Sequence, residues 1–231
     1  MKNYIVCLKW GTKYSSQYVN NLYNMVKRNT TIPYEFVCYT ENPKGINPGI
    51  TVKSLPPVDL KGWWYKVMFF DPNHELQGNI LFLDLDVVVF NNIDKLFTHE
   101  PGKFCIIRDF NRVSINSYRG MNSSVFRITT GDHAALYKTF MQNPAAYTRR
   151  YRGDQELMMG QIKNNFYFWP DNWIESYKWE MRGKDQIVRD GMTRTLKQGT
   201  PKIREGTSIA VFHGKPDPHE CLDTWVIENW R

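Results

Sequence analysis

No apolar run in this chain approaches the roughly 20 residues that span a bilayer. The N-terminus passes directly into Tyr4-Ile5-Val6-Cys7-Leu8, with no longer apolar region or cleavage site. Those absences exclude a membrane segment as the organising feature, and a soluble, cytoplasmic protein is the expectation. Cysteine is scarce: four residues, at 7, 38, 105 and 221, show no Cys-x-x-Cys spacing. Three of them fall inside apolar strand-like runs, so they read as reduced, structural side chains. Internal repeats and low-complexity tracts are also lacking, which leaves a single domain over residues 1–231 as the simplest organisation. Dense basic clusters are few despite a net charge of +7 and a pI near 9.1. Only Arg149-Arg150-Tyr151-Arg152 is such a group, and a run of this kind is ordinarily a solvated face. A nucleic-acid partner is therefore not expected, whereas an anionic small donor or an acidic acceptor suits the charge.

What is abundant is aromatic surface. Aromatics make up 15% of the chain, with 8 Trp and 13 Tyr, more than a core usually needs. Sugars and nucleobases are both bound on flat apolar faces.

Taken in order, Tyr4 to Leu8 reads as a buried parallel strand, followed by a loop at Lys9-Trp10-Gly11-Thr12. Tyr18, Leu22, Met25 and Val26 recur at helical spacing between Ser15 and Asn29, and Tyr34 to Tyr39 is a second strand. This β-loop-α-β order predicts two parallel neighbours joined by a right-handed crossover. Ligands of open parallel sheets bind beyond the carboxyl ends of the strands, so Lys9 to Thr12 and Thr40 to Asn42 are candidate contacts. Trp10 and Tyr39 are placed to stack a base there, or else to cover the sheet. After a Pro- and Gly-rich connector with a short strand near Ile50 to Lys53, Trp63 to Asp71 reads as a helix stopped by Pro72. Lys66 lies just off its apolar stripe, as an anion contact or as a plain surface lysine.

Asn79 to Phe90 reads as a fully buried strand that carries two acids, Asp84 and Asp86. Unpaired carboxylates are costly in such a place. In a strand, residues i and i+2 share a face, so both carboxylates could aim at one point while Leu85 stays in the core. A divalent cation suits that pair, and a cation suits a phosphate. Further strands are expected at Lys103 to Arg108, Ser123 to Ile128 and Ser208 to Phe212, with helices at Asn91 to Phe97, Asp132 to Gln142 and from Gly153-Asp154-Gln155-Glu156 onward. Phe166 to Trp173 forms an aromatic sheet edge, and Met181 to Arg204 a long surface excursion or a mobile loop. The last strand ends in His213-Gly214-Lys215-Pro216. Asp84, Asp86 and His213 together offer two oxygens and a nitrogen, a set compatible with manganese or magnesium, and Lys215 adds a point charge for phosphates.

These segments resemble a known family. Ile80 to Val89 with Ile93-Asp94-Lys95-Leu96-Phe97 is similar to the Asp-x-Asp region of GT-A glycosyltransferases, especially the family 8 type that includes glycogenin and lipopolysaccharide galactosyltransferases. Gly120-Met121-Asn122-Ser123-Ser124 is similar to its Asn-Ser-Gly segment, with Ser124 in place of the glycine. Gly153-Asp154-Gln155 matches its Gly-Asp-Gln helix start. His213-Gly214-Lys215-Pro216 is similar to its metal-binding histidine segment, compressed and without a Trp after the Pro.

The resemblance implies an α/β fold of the GT-A (Rossmann-like) class: a mixed, mostly parallel central sheet flanked by helices in one domain. Residues up to about 110 would form the nucleotide-binding half. It implies a UDP-sugar donor, transfer with retention to a sugar, glycan or protein acceptor, and Mn2+ or Mg2+ held by Asp84, Asp86 and His213. Donor contacts are then expected from Lys9, Trp10, Thr12, Tyr39, Thr40, Lys66, Asp84, Leu85, Asp86, Asn122, Ser123, Gly214 and Lys215. Asp154 and Gln155 would lie at the sugar, with helix capping as the plain role of Asp154. Trp63, Trp169 and Trp173 are acceptor platforms or packing residues. Two other readings compete. A haloacid dehalogenase-type phosphatase also ends an apolar strand in Asp-x-Asp, but here Val87-Val88 follows where that class has a Gly-containing loop. A non-catalytic nucleotide or nucleic-acid binder leaves the paired acids unexplained.

Overall fold

A computed structural model describes residues 1–182 and 201–231, together with the backbone of the strands Gln186–Arg189 and Met192–Thr195. The elements run β1 (Asn3–Lys9), α1 (Ser16–Arg28), β2 (Glu35–Thr40), β3 (Thr51–Lys53), a 3-10 segment (Gly62–Phe70), β4 (Asn79–Leu83), β5 (Val87–Val89), α2 (Lys95–Thr98) and β6 (Phe104–Arg108). A 3-10 turn (Phe110–Val113), β7 (Met121–Thr129), α3 (Ala134–Gln142), α4 (Pro144–Arg150), α5 (Asp154–Gln161), β8 (Phe166–Phe168) and β9 (Ile174–Ser176) follow. A π-turn (Tyr177–Met181), β10 (Gln186–Arg189), β11 (Met192–Thr195), β12 (Ile209–Val211), a 3-10 turn (Pro218–Glu220) and α6 (Thr224–Asn229) complete the chain.

Seven strands form the main sheet in the order β3-β2-β1-β4-β7-β6-β8. Four of its six pairings are parallel; only β7 runs against its neighbours β4 and β6. The expected mixed, mostly parallel sheet is therefore what forms, and β1 and β2 pair in parallel across α1. Period-2 alternation sorts side chains to the two faces. Ile5 and Cys7 of β1 and Leu81 and Leu83 of β4 join a core with α1, β5 and β12. Val6, Leu8, Ile80 and Phe82 join a second core with the 3-10 segment, α3 and α5. All four cysteines are free and buried in the first of these cores.

Three expectations need correction. Asn79 to Phe90 is not one strand. β4 ends at Leu83, Asp84-Leu85-Asp86 forms a turn, and β5 belongs to a separate three-stranded sheet in the order β5-β12-β9. Both strands are buried, so the apolar pattern continues across the switch and periodicity does not register it. The segment after Gly62 is a 3-10 helix, and Gly62, Trp64 and Lys66 to Phe70 are all buried; apolar residues on every side remove the stripe that an amphipathic surface helix would show. α4 was not expected, although Asn143 accepts from the Ala146 N–H and Pro144 takes the first helical position, a legible start signal. Most of the expected excursion over Met181 to Arg204 lies outside the described residues, apart from the antiparallel pair β10-β11. Among the described residues no helix is long and apolar enough to cross a membrane.

Candidate active site

A cavity of about 670 Å³ opens beyond the carboxyl ends of β1 and β4. The loop after β1 brings Trp10, Lys13 and Tyr14, and the 3-10 segment brings Trp63 and Lys66. The inter-sheet turn contributes Asp84, Leu85 and Asp86, and β7 contributes Asn122, Ser123 and Ser124. Arg152 to Glu156 at the start of α5, and His213 and Gly214 after β12, complete the lining. Two glycines shape its rim. Gly62 holds a left-handed φ of +64°, and a Cβ there would stand 3.0 Å from the Trp10 ring; at Gly153 a Cβ would stand 3.1 Å from Trp63 Nε1. Each indole thus rests against bare backbone. Trp10 is 38% and Trp63 50% exposed.

The compensation for Asp84 is a lysine. Lys66, buried in the second core, places Nζ 2.9 Å from Asp84 Oδ1 and 3.0 Å from Oδ2, and also donates to the Ser123 carbonyl at 3.2 Å and to Ser123 Oγ at 3.3 Å. Asp154 Oδ2 stands 3.8 Å from the same ammonium, is buried, and has no hydrogen-bond partner. Burial works against the Lys66 charge, but Asp84 and Asp154 outweigh it and hold its pKa above the usual lysine value. Lys66 is thus no surface lysine. Gly153, not Asp154, is the residue that caps α5.

Among the described residues Asp86 forms no ion pair. Its Oδ2 accepts from the Tyr14 hydroxyl at 2.9 Å. Burial, followed by the negative charge of Asp84, pushes its carboxyl up to about 7. The last strand does return to this turn. β12 pairs antiparallel with β5, and the Phe212 N–H donates to the Asp86 carbonyl at 2.9 Å, which sets His213 beside Asp86. The imidazole stacks on Phe110 (centroids 5.3 Å apart, planes 12°) and meets the edge of Trp179. Its Nε2 shares a 2.6 Å hydrogen bond with Ser176 Oγ. Burial and the nearby Lys178 lower its pKa, so the ring is neutral at pH 7. Ser176 is itself held: its N–H donates to Glu180 Oε2 at 2.9 Å, and Glu180 is paired with Arg112 and Arg204.

Of the residues singled out in the sequence, Trp10, Lys66, Asp84, Leu85, Asp86, Asn122, Ser123, Asp154, Gln155, His213 and Gly214 border this cavity. Others do not. Lys9 is buried within β1, Thr12 is exposed, and Thr40 is buried with its Oγ1 accepting from the Asn42 N–H. Tyr39 is 2% exposed, so no base stacks on it; its hydroxyl donates to Glu75 at 3.0 Å. Lys215 is tied to Asp217 at 2.8 Å and Glu220 at 2.7 Å, charges close in sequence that compete for its ammonium. Trp169 is buried in the core and Trp173 packs against it beneath Lys95, so only Trp63 remains as a platform. Lys13, Tyr14, Ser124, Arg152 and Glu156 were not singled out as site residues. Tyr14 and Lys13 carry a usable signal, since they continue the loop after β1.

No protein-family profile matches the chain, and no curated protein is significantly similar to it. Solved structures are. The galactosyltransferase LgtC, in complex with donor and acceptor sugar analogs, aligns over 97% of this chain and 93% of its own at a TM-score of 0.66 and 13% identity. The bifunctional glycosyltransferase WbbM aligns over 99% of this chain and 49% of its own at 0.63 and 12%. The glycosyltransferase GlyE of Streptococcus pneumoniae aligns over 74% and 46% at 0.57 and 12%. The chain adopts the GT-A glycosyltransferase fold, in the form seen in LgtC.

Proposed function

We propose that this cavity transfers a sugar from a nucleoside-diphosphate sugar, a UDP-sugar by preference, to a hydroxyl of a sugar, glycan or protein acceptor, with retention of configuration. The observation that carries the reading is that residues far apart in the chain, Asp84, Asp86 and His213, border one cavity with Lys66 and Asp154. The residues up to about 110 supply the loop after β1, Lys66 and the acidic turn, and serve as the nucleotide half.

Among the described residues no three His, Cys, Asp or Glu side chains are gathered closely enough to hold an ion. Asp84 is engaged by Lys66 and His213 Nε2 by Ser176. By chemistry the set fits: two carboxylates and a neutral imidazole match manganese or magnesium, and Asp86, raised by burial and then by its acidic neighbour, is the group a dication would relieve. Asp84, Asp86 and His213 would hold the ion, which supplies Lewis-acid neutralisation of the leaving diphosphate.

The chain's own groups account for the rest. Trp10 offers an exposed indole face beside the loop after β1, suited to a base. Lys66, on the cavity wall and paired with Asp84, would fix that carboxylate and offset part of the negative charge the two acids bring to the site. Asp154 Oδ2, buried and unpartnered, would accept from a sugar hydroxyl, and Gln155 beside it would orient the acceptor or the anomeric centre. Trp63 would stack the acceptor ring. The phosphatase reading gains no support, since the fold likeness to glycosyltransferases spans nearly the whole chain. The test is slow hydrolysis of UDP-glucose or UDP-galactose: it should require manganese and vanish in Asp86→Ala and His213→Ala. Phosphate release from a generic phosphomonoester without any affinity for UDP would overturn the reading.

A further inference from the structure

A second cavity, of about 230 Å³, shares no lining residue with the first. It lies among the connector after β3, the 3-10 segment, the loop before β4, and α3. Pro56, Val58, Leu60, Val67, Met68 and Met141 give it apolar walls. Its polar groups are Tyr39, Asp71, His74, Glu75 and Tyr137, with Ser54 and Asn73 at the margin.

These polar groups are not equally satisfied. His74 Nδ1 accepts from the Leu76 N–H at 3.1 Å, so in the neutral ring Nε2 carries the proton, 3.5 Å from the Tyr39 hydroxyl oxygen. Tyr39 donates to Glu75 Oε1 at 3.0 Å, and Glu75 Oε2 is paired with Lys53 at 2.7 Å. Glu75 is thus neutralised within the fold. Asp71 is different: its Oδ1 accepts from the Asn73 N–H at 2.9 Å, but it forms no ion pair among the described residues. Half-buried on the wall of an otherwise apolar cavity, that carboxylate favours a cationic ligand over a neutral or anionic one of the same shape.

We infer that the second cavity binds a small organic ammonium ion with an apolar body of about one ring. Asp71 takes the ammonium, and the ring of the half-buried Tyr137 adds the attraction of an aromatic face for a cation. Val58, Leu60, Val67 and the two pliable methionines, Met68 and Met141, take the hydrocarbon. The assignment does not depend on the sugar-transfer reading. It does have a consequence for the first cavity, because Trp63 and Lys66 sit on the same 3-10 segment as Val67 and Met68, and Asp71 closes that segment by donating its N–H to the Met68 carbonyl at 3.0 Å. An occupant would brace the segment that presents Lys66.

The experiment uses the full chain with benzylammonium as probe, and benzyl alcohol and benzoate as isosteric controls, read by titration calorimetry and by amide shifts in NMR. Benzylammonium should bind saturably and shift the amides of Val67, Met68 and Asp71. Because a hydrogen bond to a charged group is worth about 1.5–3 kcal/mol, Asp71→Asn should weaken that binding about tenfold or more. Met141→Trp, which fills the cavity without touching Asp71, should abolish it. Equal binding of benzyl alcohol or benzoate, binding unaffected by both variants, or no binding at all would each overturn the assignment. If Asp71→Asn fails to fold, Met141→Trp and the two controls still decide the matter.

Discussion

Replacing Lys66 by Met retains the aliphatic bulk inside the second core and removes the only cation that reaches Asp84 and Asp154 among the described residues. Lys66 Nζ is 2.9 Å from Asp84 and 3.8 Å from Asp154, and the Lys66 and Asp154 side chains are each 6% exposed. Deleting one partner of a buried pair typically costs about 3–5 kcal/mol, since the surviving charge is left without compensation. Asp84 can limit the loss by taking up a proton, because burial already holds its carboxyl above the ordinary range. We therefore expect Lys66→Met to lose about 3 kcal/mol at pH 7, toward the lower end of that range. The sign of the pH dependence follows. In the variant the folded state binds protons more readily than the unfolded chain, so its deficit should shrink as the pH falls toward 5. In the wild type the raised Lys66 pKa contributes stability that is full below the ordinary lysine value and is lost as pH rises through the folded value. Urea unfolding followed by tryptophan fluorescence measures both. Adding Asp84→Asn to Lys66→Met should recover more than half of the loss, a coupling that a double-mutant cycle isolates. A Lys66→Met protein as stable as the wild type, or losses that add in the double variant, would refute the assignment of Lys66 as the counter-charge.

Other outcomes follow from the same geometry. Ionising Asp86 costs the fold stability as pH rises from the ordinary carboxyl range to about 7; in metal-free buffer Asp86→Asn should therefore be more stable than wild type by about 1–2 kcal/mol at pH 8, after allowance for screening by solvent, and by nothing near pH 4. Urea curves at the two pH values decide it, and destabilisation at pH 8 would contradict it. Ser176→Ala removes the hydrogen bond to His213 Nε2 and should weaken manganese-dependent UDP binding about tenfold or more, as loss of an orienting partner does, while changing the imidazole 15N shifts. Unchanged shifts would show that Ser176 does not orient the ring. Trp63→Ala should raise the acceptor KM with little change in Tm, whereas Trp169→Ala, in the core, should cost about 3–5 kcal/mol of stability. The reverse pattern would exchange their roles.

Much of this fold was legible because it rests on long apolar runs. β1, α1, β2 and β7 followed from periodicity alone, and the return of the last strand to Asp86 was expected from the position of His213. What escaped was governed by tertiary context. The acidic turn looked like strand because both flanking strands are buried, and no local pattern marks a chain passing from one sheet to the next. Lys66 looked half-exposed because its neighbours Trp64 and Val67 gave no hint that carboxylates from two distant loops would surround it. Tyr39 and Lys215 were drawn into the expected donor site by strand position, yet Glu75, Asp217 and Glu220 claim them. Tyr14 was the reverse case: it lies just past the loop that was marked, and its hydroxyl donates to Asp86 Oδ2.

The central claim is that the cavity between the acidic turn and His213 binds a nucleoside diphosphate together with a divalent cation. Titration calorimetry of UDP into the protein, with manganese and then with EDTA, tests it most directly. Binding that needs manganese, and that is lost in Asp86→Ala and in His213→Ala while both variants remain folded, is the predicted result. Absence of any UDP binding, or binding indifferent to manganese and to both substitutions, would contradict it.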